Sequence, residues 1–139
     1  KKKDGTFYKS NPIVMIKNII NLFARTSISL IFLLSGFNKI TNYEDTINWM
    51  EKYGVTGDLL APAIFFEILA PLFLIFGYQT KIAAILLAIF CVITEVIFHN
   101  DFTNQMQMIA FLKNTAIAGG LIFVSLYGPG EISVDKKLK

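Results

Sequence analysis

The fold class that this sequence predicts is all-α: an integral membrane four-helix bundle, with a short interfacial helix between spans one and two. Three observations carry it. Hydrophobic residues make up 54% of the 139 residues and mean hydropathy is +0.55, above the roughly 45–50% apolar content of an ordinary soluble domain. Charged residues are only 17%, and they collect at the ends and in two loops. Four apolar stretches each approach the ~20 residues that a helix needs to cross the hydrocarbon core. The length suits one domain, residues 1–139.

Lys1 to Ser10 is polar and expected to lack order. Its lysines precede an apolar run, as in a signal peptide. That run is too long, no small-residue cleavage site comes after it, and three more spans do, so it reads as a retained first span. Asn11-Pro12 is a helix start, because Asn caps and Pro is tolerated at the first helical position. The helix is expected to run to about Phe37, with the spanning part at 19–37. Arg25, Thr26, Ser27 and Ser29 interrupt it, and Ser35 and Gly36 let another helix approach.

Asn38 to Asp58 is the longest polar connection. Within it Tyr43, Ile47, Met50 and Tyr53 recur at helical spacing, and Gly54 can stop the helix. Trp49 and the tyrosines suit a membrane–water boundary. Span two is expected at 59–76, with Asp58 as N-cap, a kink at Pro71 and an end at Gly77. The link 78–80 is so short that spans two and three must be antiparallel neighbours. Span three is expected at 81–98 and span four at 108–127, where Ala116, Ala118, Gly119 and Gly120 are small packing residues. Gly128-Pro129-Gly130 stops it, and a polar tail completes the chain.

An even number of spans puts both termini and the 78–80 link on one side. That side holds nine lysines (1, 2, 3, 9, 17, 81, 136, 137 and 139), against Lys39 and Lys52 on the other. Positive residues mark the cytoplasmic side. The expectation is therefore a multi-pass protein of the cell's inner (cytoplasmic) membrane with both termini cytoplasmic.

With that topology the charges inside the spans can be placed by depth from the outer end. At 1.5 Å per residue, Glu95 lies ~6 Å below His99, Lys113 ~7 Å into span four, and Glu67 ~12 Å into span two. Glu95 and His99 share a helix face. Lys113 is the expected partner of Glu67 or Glu95, and Asn114 can donate and accept. Buried charge in a membrane is expensive and usually partnered. Two readings stand side by side. One is a structural network that fixes helix packing, and the other is a ligand or proton site open to the outer face. Individual groups can also snorkel separately to the surface. Arg25, nearer the cytoplasmic end, is expected to snorkel inward and act structurally. Glu95 could raise the proton affinity of His99, for which an interfacial hydrogen-bonding role is an equal alternative.

Several chemistries are excluded or weakened. The single Cys91 makes no internal disulfide, CxxC pair or cysteine zinc site, and reads as a small buried hydrophobe. There is no P-loop, no HExxH and no arguable serine triad. Glu95 with His99 is a weak metal pair, and no metal is expected. An iron–sulfur cluster needs about four thiolates, a bis-histidine haem two histidines, and a nucleotide-cofactor fold a glycine fingerprint after a strand. None is present. Basic residues interleaved with aromatics are absent as well, so no nucleic-acid partner is expected.

Ordered along the chain are Arg25, Phe32, Ser35-Gly36 and Lys39, then Glu67, Gly77, Thr80-Lys81 and His99. After them come Phe111-Leu112-Lys113-Asn114, Ala118-Gly119-Gly120, Gly128-Pro129-Gly130 and Ile132-Ser133-Val134-Asp135. In this order and spacing the chain resembles the DoxX family of small four-span membrane proteins over roughly Leu22 to Asp135. The resemblance implies a four-helix membrane bundle. Some members of the family are associated with thiosulfate:quinone oxidoreductase, others with membrane complexes that handle oxidative or thiol stress. Ala70-Pro71 departs from the glycine expected there, and the paired cysteines of thiol-handling relatives are not matched.

The resemblance makes Arg25, Glu67, His99, Lys113 and Asn114 the site candidates, and the depth reading adds Glu95: His99, Glu95 and Glu67 as catalytic groups, with Lys113, Asn114 and Arg25 binding substrate. No covalently bound cofactor is expected; quinone is the candidate. The partners are the lipid bilayer and either a partner subunit or a second copy of the chain. Three functions remain in view. The first is a subunit of a membrane redox system, an oxidoreductase component linked to quinone or a small sulfur compound. The second is a non-catalytic assembly or anchoring protein. The third is a small carrier, which would more often show duplicated halves and broken helices.

Overall fold

The computed structural model describes residues 11–138; the polar segment expected to lack order lies outside the described residues. Among them the secondary structure is entirely helical: α1 (Pro12–Thr41), α2 (Tyr43–Lys52), a 3-10 turn (Gly57–Leu59), α3 (Leu60–Phe76), α4 (Thr80–Phe98), α5 (Gln105–Tyr127) and α6 (Val134–Lys137). Four helices are long and apolar enough to cross a membrane: Pro12–Thr41, Gly57–Phe76 with its opening 3-10 turn, Thr80–Phe98 and Gln105–Tyr127. Their outward faces are lined by large apolar residues such as Phe23, Leu34, Phe65 and Phe123. Such a surface is stable only in lipid. The chain is a membrane protein.

Helix boundaries reflect local chemistry. Asn11 accepts a hydrogen bond from Ile13 N at 3.0 Å, with Pro12 in the first turn. α1 continues past Phe37 to Thr41, one turn further than its apolar pattern suggests. Thr56, not Asp58, caps the entry to α3, accepting from Asp58 N at 3.5 Å. α3 continues through Pro71. It ends at Gly77, whose φ of 68° is left-handed. A Cβ at Gly77 would collide with Ser133 and Arg25 Nη1, so glycine is required there for both backbone and space. Asn104 caps α5 by accepting from Met106 N at 2.9 Å.

α1 packs chiefly on α3 and α5 on α4, and α3 joins the two pairs by packing on α4. The core between them uses small and branched residues: Ala70, Leu74, Ala84, Leu87, Ala118 and Leu121, with Phe32 from α1. A second, smaller core of Met50, Leu60 and Ile64 seats α2 on α3. The bundle thus has two different ends. One carries α2 and the 99–104 connection; the other carries the start of α1, the tight turn at 77–79 and the C-terminal segment.

That C-terminal segment is folded onto the bundle, where the sequence suggests only a polar tail. Asn21 Nδ2 donates to Gly128 O (3.2 Å), Asn18 Oδ1 accepts from Glu131 N (3.1 Å), and Asp135 N donates to Gly77 O (2.8 Å). The Asp135 carboxylate accepts from Gln79 N (2.8 Å) and Thr80 N (2.9 Å), so it caps the first turn of α4 from 55 residues away. A carboxylate at a helix N-terminus satisfies orphan donors and complements the dipole.

Candidate functional site

At the α2 end the helices diverge around a cavity of about 380 Å3. α1 contributes Ile31, Phe32, Ser35 and Lys39, which fall on one face by helical spacing. Glu67 comes from α3, Cys91 and Thr94 from α4, and Lys113, Asn114 and Ile117 from α5. α2 closes the end with Thr46, Trp49 and Met50. Trp49 stacks on Phe98 at 4.5 Å between ring centroids, and Tyr53 meets Phe98 edge-on at 5.4 Å. Trp49 and Phe98 therefore close this end of the cavity as a stacked aromatic pair, with Tyr53 packed on Phe98.

The polar centre is an ion pair. Lys39 Nζ lies 2.9 Å from Glu67 Oε2 and donates to Glu67 Oε1 at 3.1 Å. Ser35 Oγ donates to the same Oε1 at 3.1 Å, and Lys39 Nζ also donates to Ser35 Oγ at 2.6 Å. Oε2 receives no directed hydrogen bond, so its contact with the ammonium is electrostatic. The Glu67 side chain is 5% exposed and that of Lys39 24%. Burial at this level strengthens the attraction and raises the penalty for losing either partner.

Lys113 is thus not the partner of Glu67 or Glu95. It is exposed and lines the cavity, and among the described residues no carboxylate lies within ion-pair distance of it. Lys39 takes its place because Ser35 and Lys39, four residues apart on α1, both face Glu67. That spacing is visible in the sequence, but Lys39 reads there as a loop residue because α1 is one turn longer than its apolar pattern.

Glu95 and His99, though four apart, face different neighbours. Glu95 is buried on α4 and accepts from Thr115 Oγ1 of α5 at 3.3 and 3.5 Å. It does not line the cavity. His99 terminates α4, lines the α2 end of the cavity, and pairs through Nδ1 with Gln107 Oε1 at 2.7 Å. In the connection beyond it, Asp101 accepts from Thr103 N (3.1 Å) and Thr103 Oγ1 (2.5 Å). Those hydrogen bonds hold its carboxyl below the ordinary range.

Arg25 is at the other end. It is completely buried and does not snorkel. Nη1 donates to Leu74 O (2.6 Å) and Ile75 O (3.3 Å), Nη2 to Ile132 O (2.7 Å), and Nε to Asn21 Oδ1 (2.9 Å). The arginine thus joins α1, the last turn of α3 and the C-terminal segment. The structure brings Glu67, His99, Lys113 and Asn114 to one cavity, and leaves Glu95 beside it and Arg25 outside it. Ser35, Lys39 and Trp49 join that set. No group of three or more His, Cys, Asp or Glu able to hold a metal occurs among the described residues.

Comparison with known proteins gives a consistent result. The sequence model of the DoxX family matches residues 20–100. The chain is similar to the inner membrane protein YqjF of Escherichia coli, with 35% identity over 117 residues, covering 84% of this chain and 90% of that protein. It is similar to the inner membrane protein YphA of the same organism, with 32% identity over 126 residues, covering 86% and 90%. A shorter similarity, 35% over 68 residues, links 45% of the chain to 22% of the ER-derived vesicles protein ERV29 of Saccharomyces cerevisiae. No solved structure matches the chain.

Proposed function

The chain belongs to the DoxX family, and from that premise we propose that it is the membrane subunit of a redox system, binding a quinone-type head in the cavity at its α2 end. The observation that carries the reading is the cavity itself. Apolar walls surround a few convergent polar groups, which is the composition of a small-molecule site. Lys113 and Asn114 supply donors for a ring carbonyl, and the second ring nitrogen of His99, whose Nδ1–H donates to Gln107 Oε1, supplies an acceptor for the hydroxyl of the reduced form. The Lys39–Glu67 pair fixes the polar floor. A bound quinone supplies the capacity to accept and release electrons and protons. The chain's own groups bind and orient the head and exchange protons at His99, and electrons come from a partner protein or from the substrate.

Trp49 is the sole tryptophan and lines the cavity, so its fluorescence tests this reading. Titration of detergent-solubilised protein with decylubiquinone is expected to quench Trp49 saturably, and Lys113→Ala to weaken the apparent affinity several-fold. Quenching that stays linear in quinone, as for collisional encounter in the micelle, would refute it. The non-catalytic assembly reading is favoured by one observation: Glu67 already has its counter-ion. Under that reading quenching by quinone does not saturate and polar variants act only on protein abundance.

The location proposed is the inner membrane, as the names of the two Escherichia coli relatives state for those proteins. The lysine asymmetry supports cytoplasmic termini. Thr56 and Gln79 are exposed at opposite ends of the bundle. In a Cys91→Ser background, a cysteine at 56 is expected to react with a membrane-impermeant maleimide added to intact cells, and one at 79 only after lysis. The reverse pattern would invert the topology.

A further inference from the structure

We propose that the ligand enters this cavity sideways from the bilayer, through the opening between the α2-end halves of α1 and α5. On this view the head sits at Lys113 and Asn114 and an apolar tail remains in the opening. The inference rests on the reading of the cavity as a quinone-type site and names the route and the tailed class of its ligand.

The two halves of α1 and α5 behave differently. Away from α2 the helices touch: a Cβ at Gly120 would lie 3.2 Å from Ile28 Cδ1, and Asn21 reaches Gly128 O. Towards α2 the facing residues line the cavity instead: Ile31 and Ser35 on α1, Ile117 and Asn114 on α5. α1 and α5 each pack mainly on another helix, so nothing else draws these halves together. The result is a wedge, closed at Gly120 and open towards α2.

The α2 end of the cavity is closed by the stacked Trp49 and Phe98, whereas the helix faces beside Ile31 on α1 and in line with Gly120 on α5 carry exposed apolar residues such as Leu34 and Ile109. Size points the same way. At about 380 Å3 the cavity is at the low end of the roughly 300–1,000 Å3 of ligand sites. It holds a compact head, and a long tail must lie outside. Charge orients the head, because Lys39 is occupied by Glu67 while Lys113 has no carboxylate partner among the described residues.

The test closes the wedge. In full-length Cys91→Ser protein carrying Ile31→Cys and Ile117→Cys, a short bis-methanethiosulfonate reagent staples α1 to α5, and dithiothreitol releases it. Binding is monitored by Trp49 quenching with decylubiquinone and with its tail-less counterpart, 2,3-dimethoxy-5-methyl-1,4-benzoquinone. Stapling is expected to slow association of the tailed quinone at least ten-fold, to slow the tail-less one as well because the α2 end is closed, to leave the final extent of quenching in place, and to be reversed by the reductant. Unchanged association of both quinones in the stapled protein overturns the sideways route and leaves the site standing. Slowing of the tail-less quinone with the tailed one unchanged shows that a tailed ligand enters by another way, and also overturns it. Absence of saturable quenching by either quinone before stapling removes the cavity reading itself, and the inference with it.

Discussion

Arg25→Met should lower the melting temperature of the detergent-solubilised protein by roughly 10 °C or more, taking a loss of ~3–5 kcal/mol for a disrupted buried charged network. The guanidinium is fully buried and donates to four acceptors on three segments: Asn21 Oδ1, Leu74 O, Ile75 O and Ile132 O. Each hydrogen bond from a charged donor contributes about 1.5–3 kcal/mol, less what water would supply in its place. In a bilayer no water replaces it, and the abandoned carbonyls stay unsatisfied. Arg25→Lys should recover little, because an ammonium is a point donor and cannot span acceptors on both sides of a planar fork. Lys52→Met, at an exposed residue of α2, serves as the reference. Melting curves for Arg25→Met and Lys52→Met that coincide would show that the network contributes nothing.

The same network shows where the sequence was legible and where it was not. Helix number, the caps at Asn11 and Gly77 and the interfacial helix come from local signals: apolar run length, Pro and Gly placement, and period. Depth counting brings Glu67, Glu95, His99 and Lys113 to one level, because a helix of fixed rise converts residue number into distance along the membrane normal, and all of them but Glu95 line the cavity. Pairing was not legible. Choosing between Lys39 and Lys113 as the partner of Glu67 requires the rotation of each helix about its axis, and apolar residues surround these spans on nearly every side, which hides the inward face. The C-terminal segment escaped for a related reason. Gly128-Pro129-Gly130 signals a helix stop, but nothing local says that Asn18, Asn21 and Arg25, more than a hundred residues earlier, will bind the segment it begins. Arg25 at depth reads as a group that snorkels; that its donors are satisfied by a folded-back chain end is a tertiary fact.

The Lys39–Glu67 pair gives the second large effect, and a double-mutant cycle is its measure. Lys39→Met strands a carboxylate whose side chain is only 5% exposed, with the Ser35 hydroxyl alone still donating to it. Breaking such a pair from one side costs about 3–5 kcal/mol. Glu67→Leu is expected to cost less, because the Lys39 side chain is 24% exposed and its flexible stem can carry the ammonium towards the boundary. Replacing both at once leaves two apolar side chains of similar length in an apolar cavity wall, and substitutions of this kind are often neutral or stabilising. The double variant should therefore be more stable than Lys39→Met alone. The coupling between the sites should be at least ~2 kcal/mol, above the few tenths that separated, non-interacting sites show. Equilibrium unfolding in mixed detergent micelles, read out at Trp49, provides all four corners of the cycle. Additive losses would mean that the lysine and the glutamate are solvated independently. Quinone titration of the double variant then separates the two roles of the pair. If it only braces the helices, the stable double variant still quenches saturably at wild-type concentrations. If it forms the floor on which the head rests, stability returns while saturation shifts to higher quinone by ten-fold or more.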